Sequence, residues 1–173
     1  MADFIYEKPF QLNKDTTKYR LLTKDYVNVI EAGGRKILKI DPEGLQLLAK
    51  TAVSDLSFYL RTSHLEKLDA ILKDPEATDN DKFVAYVMIR NSVISSGEDL
   101  PWCQDTGTAI VIGKKGESVW TGVNDALFLS KGIYETFRDK NLRYSQVVPL
   151  TMFDEKNSGT NLPAQIEIGR AHV

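Results

Sequence analysis

Apolar and polar residues first show a β-like pattern between Tyr19 and Ile40. Two runs rich in aliphatic and aromatic residues lie on either side of Gly33-Gly34. Because glycine readily adopts the positive φ angles of a two-residue turn, this segment is predicted to form a β-hairpin. Residues 1–18 show no period and are interpreted as an extended arm on the surface.

After the hairpin, the apolar residues recur with the spacing of an α-helix. At 41–43 an aspartate cap, a proline at the first helical position and an acid in the first turn predict a helix start. Ser63 and Glu66 have the spacing of a capping box and predict a second helix that ends before Pro75. A third helix is expected after the polar loop of residues 74–81. Its inward face is predicted to carry Phe83, Val84, Val87 and Ile94.

Short strand-like runs dominate the second half of the chain. Ala109–Ile112 and Ser118–Thr121 are predicted to form a hairpin, because glycines lie between them. Val147–Phe153 and Leu162–Ile168 are also predicted to be strands. One more helix is expected before them, capped by Asn124 or Asp125 and packed through Ala126, Leu129, Ile133 and Phe137.

These elements predict an α/β (mixed α+β) fold. A hairpin and helices lead into mostly antiparallel strands with further helices. The 173 residues, 42% apolar and 27% charged, are typical of one soluble globular domain. A net charge of −2 offers no basic face for nucleic acid. The single cysteine, the absence of a signal-peptide pattern and the lack of a long apolar run favour a cytoplasmic protein without a membrane partner.

The candidate chemistry lies between Leu100 and Thr108, where Cys103 is followed by Gln104 and Asp105. A lone cysteine is more often a small buried residue than a ligand. Taken alone, Asp105 is more often a turn or cap residue, and Arg143 more often part of a solvated surface pair. The polar neighbours of Cys103 nevertheless make inert packing less favourable and indicate a place where a ligand could bind.

Three segments resemble class I, iron-sulfur-dependent fumarate hydratases. The first, Leu100–Ala109, reads Leu-Pro-Trp-Cys-Gln-Asp-Thr-Gly-Thr-Ala and is similar to the region of the first cluster cysteine. The others are Asn141–Gln146 and Gly159–Gln165, in matching order and spacing. The resemblance extends from about Tyr6 to Ile168. It implies a hydro-lyase of the tricarboxylic acid cycle that interconverts fumarate and L-malate, with a homodimer as the full-length enzyme.

The resemblance also implies roles for individual residues. Cys103 matches one of three thiolates that hold an open-iron [4Fe-4S] cluster. Gln104 and Asp105 match residues of the dicarboxylate pocket, where Asp105 would accept a hydrogen bond from the substrate hydroxyl or take part in proton transfer. Arg143 matches an arginine that binds a substrate carboxylate, for which its planar fork is suited. Roles in orientation are expected for Thr106, Thr108 and Asn161.

One departure from the family decides what this chain is expected to do. It has a single cysteine where the cluster needs three. Residues 1–168 are therefore interpreted as an incomplete N-terminal, cluster-binding domain that is expected to be cluster-free and inactive by itself. Because the alternation of a strand breaks at Gly169, residues 169–173 are interpreted as a foreign or cloning-derived tail.

Two alternatives remain open from the sequence. The first is a hydro-lyase of the L-tartrate dehydratase type, because substrate choice among hydroxy acids depends on pocket shape. The second is a noncatalytic module that binds dicarboxylates and uses Cys103 as a redox-sensitive thiol.

Overall fold

The computed structural model describes residues 5, 18–102, 108–142 and 146–171. Its helices are α1 (Pro42–Phe58), α2 (Thr62–Lys73), α3 (Asp79–Ser95) and α4 (Asp125–Asp139). Its strands are β1 (Val27–Ala32), β2 (Arg35–Ile40), β3 (Ile110–Gly116), β4 (Val119–Trp120), β5 (Val147–Pro149), β6 (Glu155–Asn157) and β7 (Gln165–Ala171). The mixed α+β class is confirmed. In this part of the chain, no helix is both long enough and apolar enough to cross a membrane.

The predicted N-terminal hairpin is present. β1 and β2 pair antiparallel from Val27 with Ile40 to Ala32 with Arg35. Gly33 and Gly34 connect them with φ angles of 58° and 73°. Positive φ at both central residues is what the tight turn of a twisted hairpin requires, so the two glycines decided this element locally.

The predicted β3–β4 hairpin is wrong. β3 instead pairs in parallel with β7, from Ile110 with Gln165 to Gly116 with Ala171. β4 pairs in parallel with β2, where Val119 lies opposite Leu38. Among the described strands, the antiparallel expectation therefore holds for the β1–β2 and β5–β6 pairs and not for the other two pairs. Gly113 and Gly116, which predicted a turn here, lie within β3 itself, so the glycines did not determine where the strand ends or which strands pair.

The second half of the chain differs from the prediction at two strand ends. The run that starts at Val147 is a strand only to Pro149, and the chain turns where the Leu150 N–H donates to the carbonyl of Asp154 (2.8 Å). β7 continues past Ile168, and Gly169 pairs with Lys114 of β3. The strand therefore does not end at Gly169. The foreign origin of residues 169–173 stays a prediction.

The core lies between α1 and α4, with β3 and β7 beside them. The buried cluster consists of Ala49, Phe58, Leu129, Ile133, Phe137 and Leu142. Val111 of β3 and Ile166 of β7 pack against it. The predicted inward face of α4 is confirmed for Leu129, Ile133 and Phe137, which are all buried, whereas Ala126 is half-buried.

The predicted inward face of α3 is wrong. Phe83, Val84, Val87 and Ile94 are each between 45% and 64% exposed. α3 instead buries Ala85, Ser92 and Ser95, and the Ser95 hydroxyl donates to the Phe58 carbonyl (2.5 Å). The small side chains of α3 permit close approach to the neighbouring backbone. Periodicity in the sequence shows that a helix has an apolar stripe, but it does not show which face of the helix packs against the rest of the protein.

Helix starts show one confirmed cap, one misplaced cap and one predicted cap without its bond: Asp41 occupies the N-cap position of α1, but its side chain makes no capping hydrogen bond. Asn124 caps α4, where its side-chain oxygen accepts from the Leu127 N–H. The predicted capping box at Ser63 is wrong, because α2 begins at Thr62 after Arg61 and has no side-chain cap. A capping box occurs at α3 instead: the Asp81 N–H donates to the Thr78 hydroxyl, and the Thr78 N–H donates to the Asp81 carboxylate.

Thr78→Ala is expected to lower the free energy of unfolding by about 1 kcal/mol, because it leaves the first turn of α3 without its cap. Ser63→Ala is the matched control: Ser63 lies inside α2 and caps nothing, so this change should leave stability unchanged or slightly higher. Urea titrations followed by far-ultraviolet circular dichroism measure both. Equal effects of the two substitutions would contradict the assignment of the caps.

Candidate functional site

The predicted site residues fall in two short segments outside the described residues. Cys103, Gln104 and Asp105 belong to residues 103–107, and Arg143 belongs to residues 143–145. The structure does describe the residues that flank these segments. They are Trp102 and Thr108 on one side, and Leu142 and Gln146 on the other.

Trp102, directly before Cys103, is held against the end of α1. Its backbone N–H donates to the Ser57 carbonyl (2.7 Å), and its side chain is buried, at 9% exposed. The neighbouring Phe58 is a core residue. The candidate segment therefore starts from a fixed position beside the core.

Leu142, directly before Arg143, is fixed by the end of α4. Asn141 has a positive φ of 51°, and the Leu142 N–H donates back to the Phe137 carbonyl (3.0 Å). A residue in the left-handed conformation, followed by an N–H that donates to the carbonyl five residues earlier, forms a Schellman motif. In this motif an apolar residue directly after the left-handed one packs on the helix. Leu142 accordingly joins the buried cluster. The segment with Arg143 thus also starts from the core.

Gln146 connects the far ends of both segments. Its side-chain Nε2 donates to the Thr108 hydroxyl (3.2 Å) and to the Pro163 carbonyl (3.2 Å). Its backbone N–H donates to Asn157 Oδ1 (3.2 Å), and its carbonyl accepts from the Ser158 N–H (2.7 Å). The sequence analysis did not identify Gln146 as a site residue. It is the last residue of Asn141–Gln146, one of the three segments that resemble a known family.

The third family-like segment lies beside these two. The Gln165 N–H donates to the Ala109 carbonyl (3.0 Å), directly after Thr108. Asn161 is 1% exposed and has a positive φ of 55°, and the Leu162–Pro163 peptide bond is cis. The described ends of all three segments therefore meet around Thr108, Gln146 and Pro163.

A partly buried charge cluster lies at the other end of β3. Lys115 Nζ donates to Asp125 Oδ2 (2.5 Å) and to the Thr121 hydroxyl (3.2 Å), and that hydroxyl donates to Asp125 Oδ1 (2.5 Å). Burial by itself raises the pKa of the Asp125 carboxyl, but the bonds from Lys115 and Thr121 and the charge of Lys115 bring it below its usual value. The cluster stabilises the junction of β3 with α4.

Distance separates this cluster from the candidate site. Thr108 precedes β3, whereas Lys115 is near its end, and a strand advances about 3.3 Å per residue. Lys115 and Asp125 are therefore assigned a structural role. Among the described residues, no group of three or more His, Cys, Asp or Glu side chains could hold a metal ion.

Comparisons with known proteins agree with the three segments. A family model described as "Fumarate hydratase (Fumerase)" matches residues 46–172. "Fumarate hydratase class I, anaerobic" of Escherichia coli (strain K12) is 56% identical over 165 residues, and the aerobic class I protein of that strain is 54% identical. In both cases 95% of this chain and 30% of the relative are covered. "Fumarate hydratase 1, mitochondrial" of Leishmania major is 56% identical over 154 residues, 88% of this chain and 28% of the relative.

Proposed function

Because the chain belongs to the fumarate hydratase (Fumerase) family, we propose that it is part of a hydro-lyase that adds water to fumarate and forms L-malate. The chain spans about 30% of the length of its E. coli relatives. The observation that carries the proposal is the meeting of three separate segments around Gln146. Two of these segments carry Cys103 and Arg143, the residue types that an iron ligand and a carboxylate binder require.

The donor set of this chain does not fit a complete iron-sulfur cluster. A [4Fe-4S] cluster is held by several thiolates, and the sequence contains one cysteine. We therefore propose Cys103 as one ligand, with the remaining ligands supplied by parts of the polypeptide beyond those present here. By itself the chain is cluster-free and inactive.

The substrate would be a small dicarboxylate. In this proposal Arg143 binds one carboxylate through two parallel N–H bonds, which orients the substrate. Gln104 and Asp105 complete the pocket, and Asp105 accepts a hydrogen bond from the hydroxyl of L-malate or takes part in proton transfer. The relatives named above are fumarate hydratases, so fumarate is proposed before tartrate.

A chimera tests the function directly. This chain replaces the matching 30% of the anaerobic class I relative from E. coli, and the product is loaded anaerobically with iron and sulfide. Loss of the ultraviolet absorbance of fumarate reports hydration. The chimera is expected to be active and this chain alone inactive. Cys103→Ser should lower the iron content of the chimera and reduce its activity by at least the roughly 10–100-fold that loss of an outer-shell partner typically costs.

Arg143→Lys in the same chimera is expected to raise KM for fumarate, because a lysine cannot bind a carboxylate through two parallel bonds. Arg90→Lys is the matched control, since Arg90 lies on α3 over the ring of Tyr86. An iron-loaded chimera that hydrates no fumarate would overturn the proposal. Activity on tartrate alone would replace fumarate as the substrate, and about three to four irons bound by this chain alone would refute the incomplete donor set.

A further inference from the structure

We propose that the groove between α2 and α3, beside the end of α1, binds a small organic cation in which an ammonium group is carried on an apolar body. The groove has a volume of about 460 Å³, within the roughly 300–1,000 Å³ typical of small-molecule sites. The structure describes every residue that lines it, and none of them belongs to the three segments that resemble a known family. The inference therefore goes beyond the proposed function and does not rest on it.

Aliphatic side chains form the walls of the groove. Leu65 comes from α2, and Ile89 and Val93 come from α3. Because Ile89 and Val93 are four residues apart, they lie on the same face of their helix. Leu60, between α1 and α2, adds a further aliphatic side chain. These walls favour the hydrocarbon part of an organic molecule, which gains from leaving water, over a hydrated inorganic ion.

An uncompensated negative charge lines the same groove. Two carboxylates lie there, those of Glu66 and Asp69. Asp69 forms an ion pair with Lys73, one turn later in α2. Glu66 makes neither an ion pair nor a side-chain hydrogen bond within the part of the chain that the structure describes. A singly charged cation complements this carboxylate.

The donor set does not suit a metal ion. Ca²⁺, for example, takes about six to eight oxygen ligands, whereas this groove offers two carboxylates, of which one is already paired. In the described ranges no cluster of at least three His, Cys, Asp or Glu side chains is placed to hold a metal. Aliphatic walls beside one unpaired carboxylate fit an ammonium group on hydrocarbon instead.

A buried hydroxyl supplies an independent sign of a ligand. Ser92 of α3 lines the groove and is only 7% exposed, yet its hydroxyl bonds to no group among the described residues. Its neighbours differ: the Ser95 hydroxyl donates to the Phe58 carbonyl (2.5 Å). The Ser96 hydroxyl donates to the Val93 carbonyl (2.7 Å). Since a buried polar group without a partner is unfavourable, a polar ligand atom beside Ser92 would stabilise the protein.

Tyr59 lines the groove with an aromatic ring whose position is fixed. Its hydroxyl donates to Glu98 Oε1 (2.6 Å), and Lys140 Nζ donates to Glu98 Oε2 (2.7 Å). Lys140 thereby compensates the charge of Glu98, while the ring of Tyr59 remains available to a cation. The ring and the carboxylate of Glu66 both favour a cation over an anion.

Three probes of similar size test the inference at low ionic strength. Phenethylammonium has the charge and the apolar body, phenethyl alcohol has the body without the charge, and phenylacetate has the opposite charge. Titrations followed by heteronuclear NMR measure each affinity and show which backbone amides shift. The ammonium is expected to shift the amides of Leu65, Ile89 and Ser92. It should bind about three- to tenfold more tightly than the alcohol, the range expected for one exposed ion pair and one cation–π contact, and phenylacetate should bind more weakly than either.

Two variants remove the polar contacts separately. Glu66→Gln is expected to weaken binding of phenethylammonium by about two- to fivefold and to leave the alcohol unchanged, because only the charge is lost. Ser92→Ala is expected to weaken both by about twofold or more, because a hydroxyl can bond to either head group. Glu43→Gln is the matched control for the charge: Glu43 lies in the first turn of α1 and outside the groove, so its loss should leave both affinities unchanged.

Three results would each overturn the inference: no amide shifts along the groove with phenethylammonium, an affinity for either other probe equal to that for the ammonium, or equal losses in Glu66→Gln and Glu43→Gln. Should Ser92→Ala fail to fold, Glu66→Gln decides the question, because Glu66 is an exposed residue. The inference and the proposed function can fail separately, since the binding measurement requires neither iron nor fumarate.

Discussion

Gly132→Ala is expected to lower the free energy of unfolding by about 2–4 kcal/mol, although alanine favours a helix by about 1 kcal/mol. Gly132 lies in α4 where it crosses α1. A Cβ there would come within 2.2 Å of the Gln46 carbonyl oxygen and 2.9 Å of the Lys50 backbone nitrogen. Both contacts are backbone atoms that cannot rotate away, so the two helices must separate.

Separation of the helices would weaken other contacts between them. The Thr136 hydroxyl donates to the Lys50 carbonyl (3.0 Å), and Ile133, beside Gly132, is fully buried. The decrease in the free energy of unfolding expected for Gly132→Ala includes the loss of these contacts. Steric overlap outweighs helix propensity here, because propensity acts within one helix whereas the clash lies between two.

Gly113→Ala is the matched control for Gly132→Ala. Gly113 lies in β3, and a Cβ there would meet nothing within 4 Å. Its substitution is expected to change stability by less than about 1 kcal/mol, and in the favourable direction. Urea titrations of both variants measure the difference. Similar midpoints would show that α1 and α4 do not approach each other at Gly132.

Phe58→Ala is expected to lower the free energy of unfolding by about 3–5 kcal/mol. Phe58 ends α1, is 1% exposed and belongs to the buried cluster with Ile133 and Phe137. Lys140 Nζ lies 5.2 Å from the centre of its ring, so the ring also contacts a cation. Since small domains are stable by about 5–15 kcal/mol, this one change removes a large share of the stability.

Phe153→Ala is the control for Phe58→Ala, with the same atoms removed from a side chain that is 89% exposed. Its expected effect is within about 0.5 kcal/mol. Differential scanning calorimetry or urea titration compares the two. A loss in Phe153→Ala as large as in Phe58→Ala would mean that the tip between β5 and β6 is covered in solution.

The candidate site was predictable in part. Its chemistry was expected from Cys103, Asp105 and Arg143 in segments that resemble a known family, and those roles stay predictions because these residues lie outside the described ranges. Gln146 was not predicted. Its side-chain partners are 38 and 17 residues away, and no local spacing rule relates residues so far apart.

The sequence by itself determined the elements that depend on neighbouring residues: the turn at Gly33-Gly34, the start of α1 at Pro42 and the start of α4, for which it left Asn124 or Asp125 as the cap. Tertiary structure alone decided the exposed apolar face of α3, the parallel pairing of β3 with β7 and the meeting of the three segments at Gln146. The physical reason is the range of the interactions. A turn or cap is complete within about four residues, whereas burial and strand pairing depend on distant parts of the chain that reach their positions only when it folds.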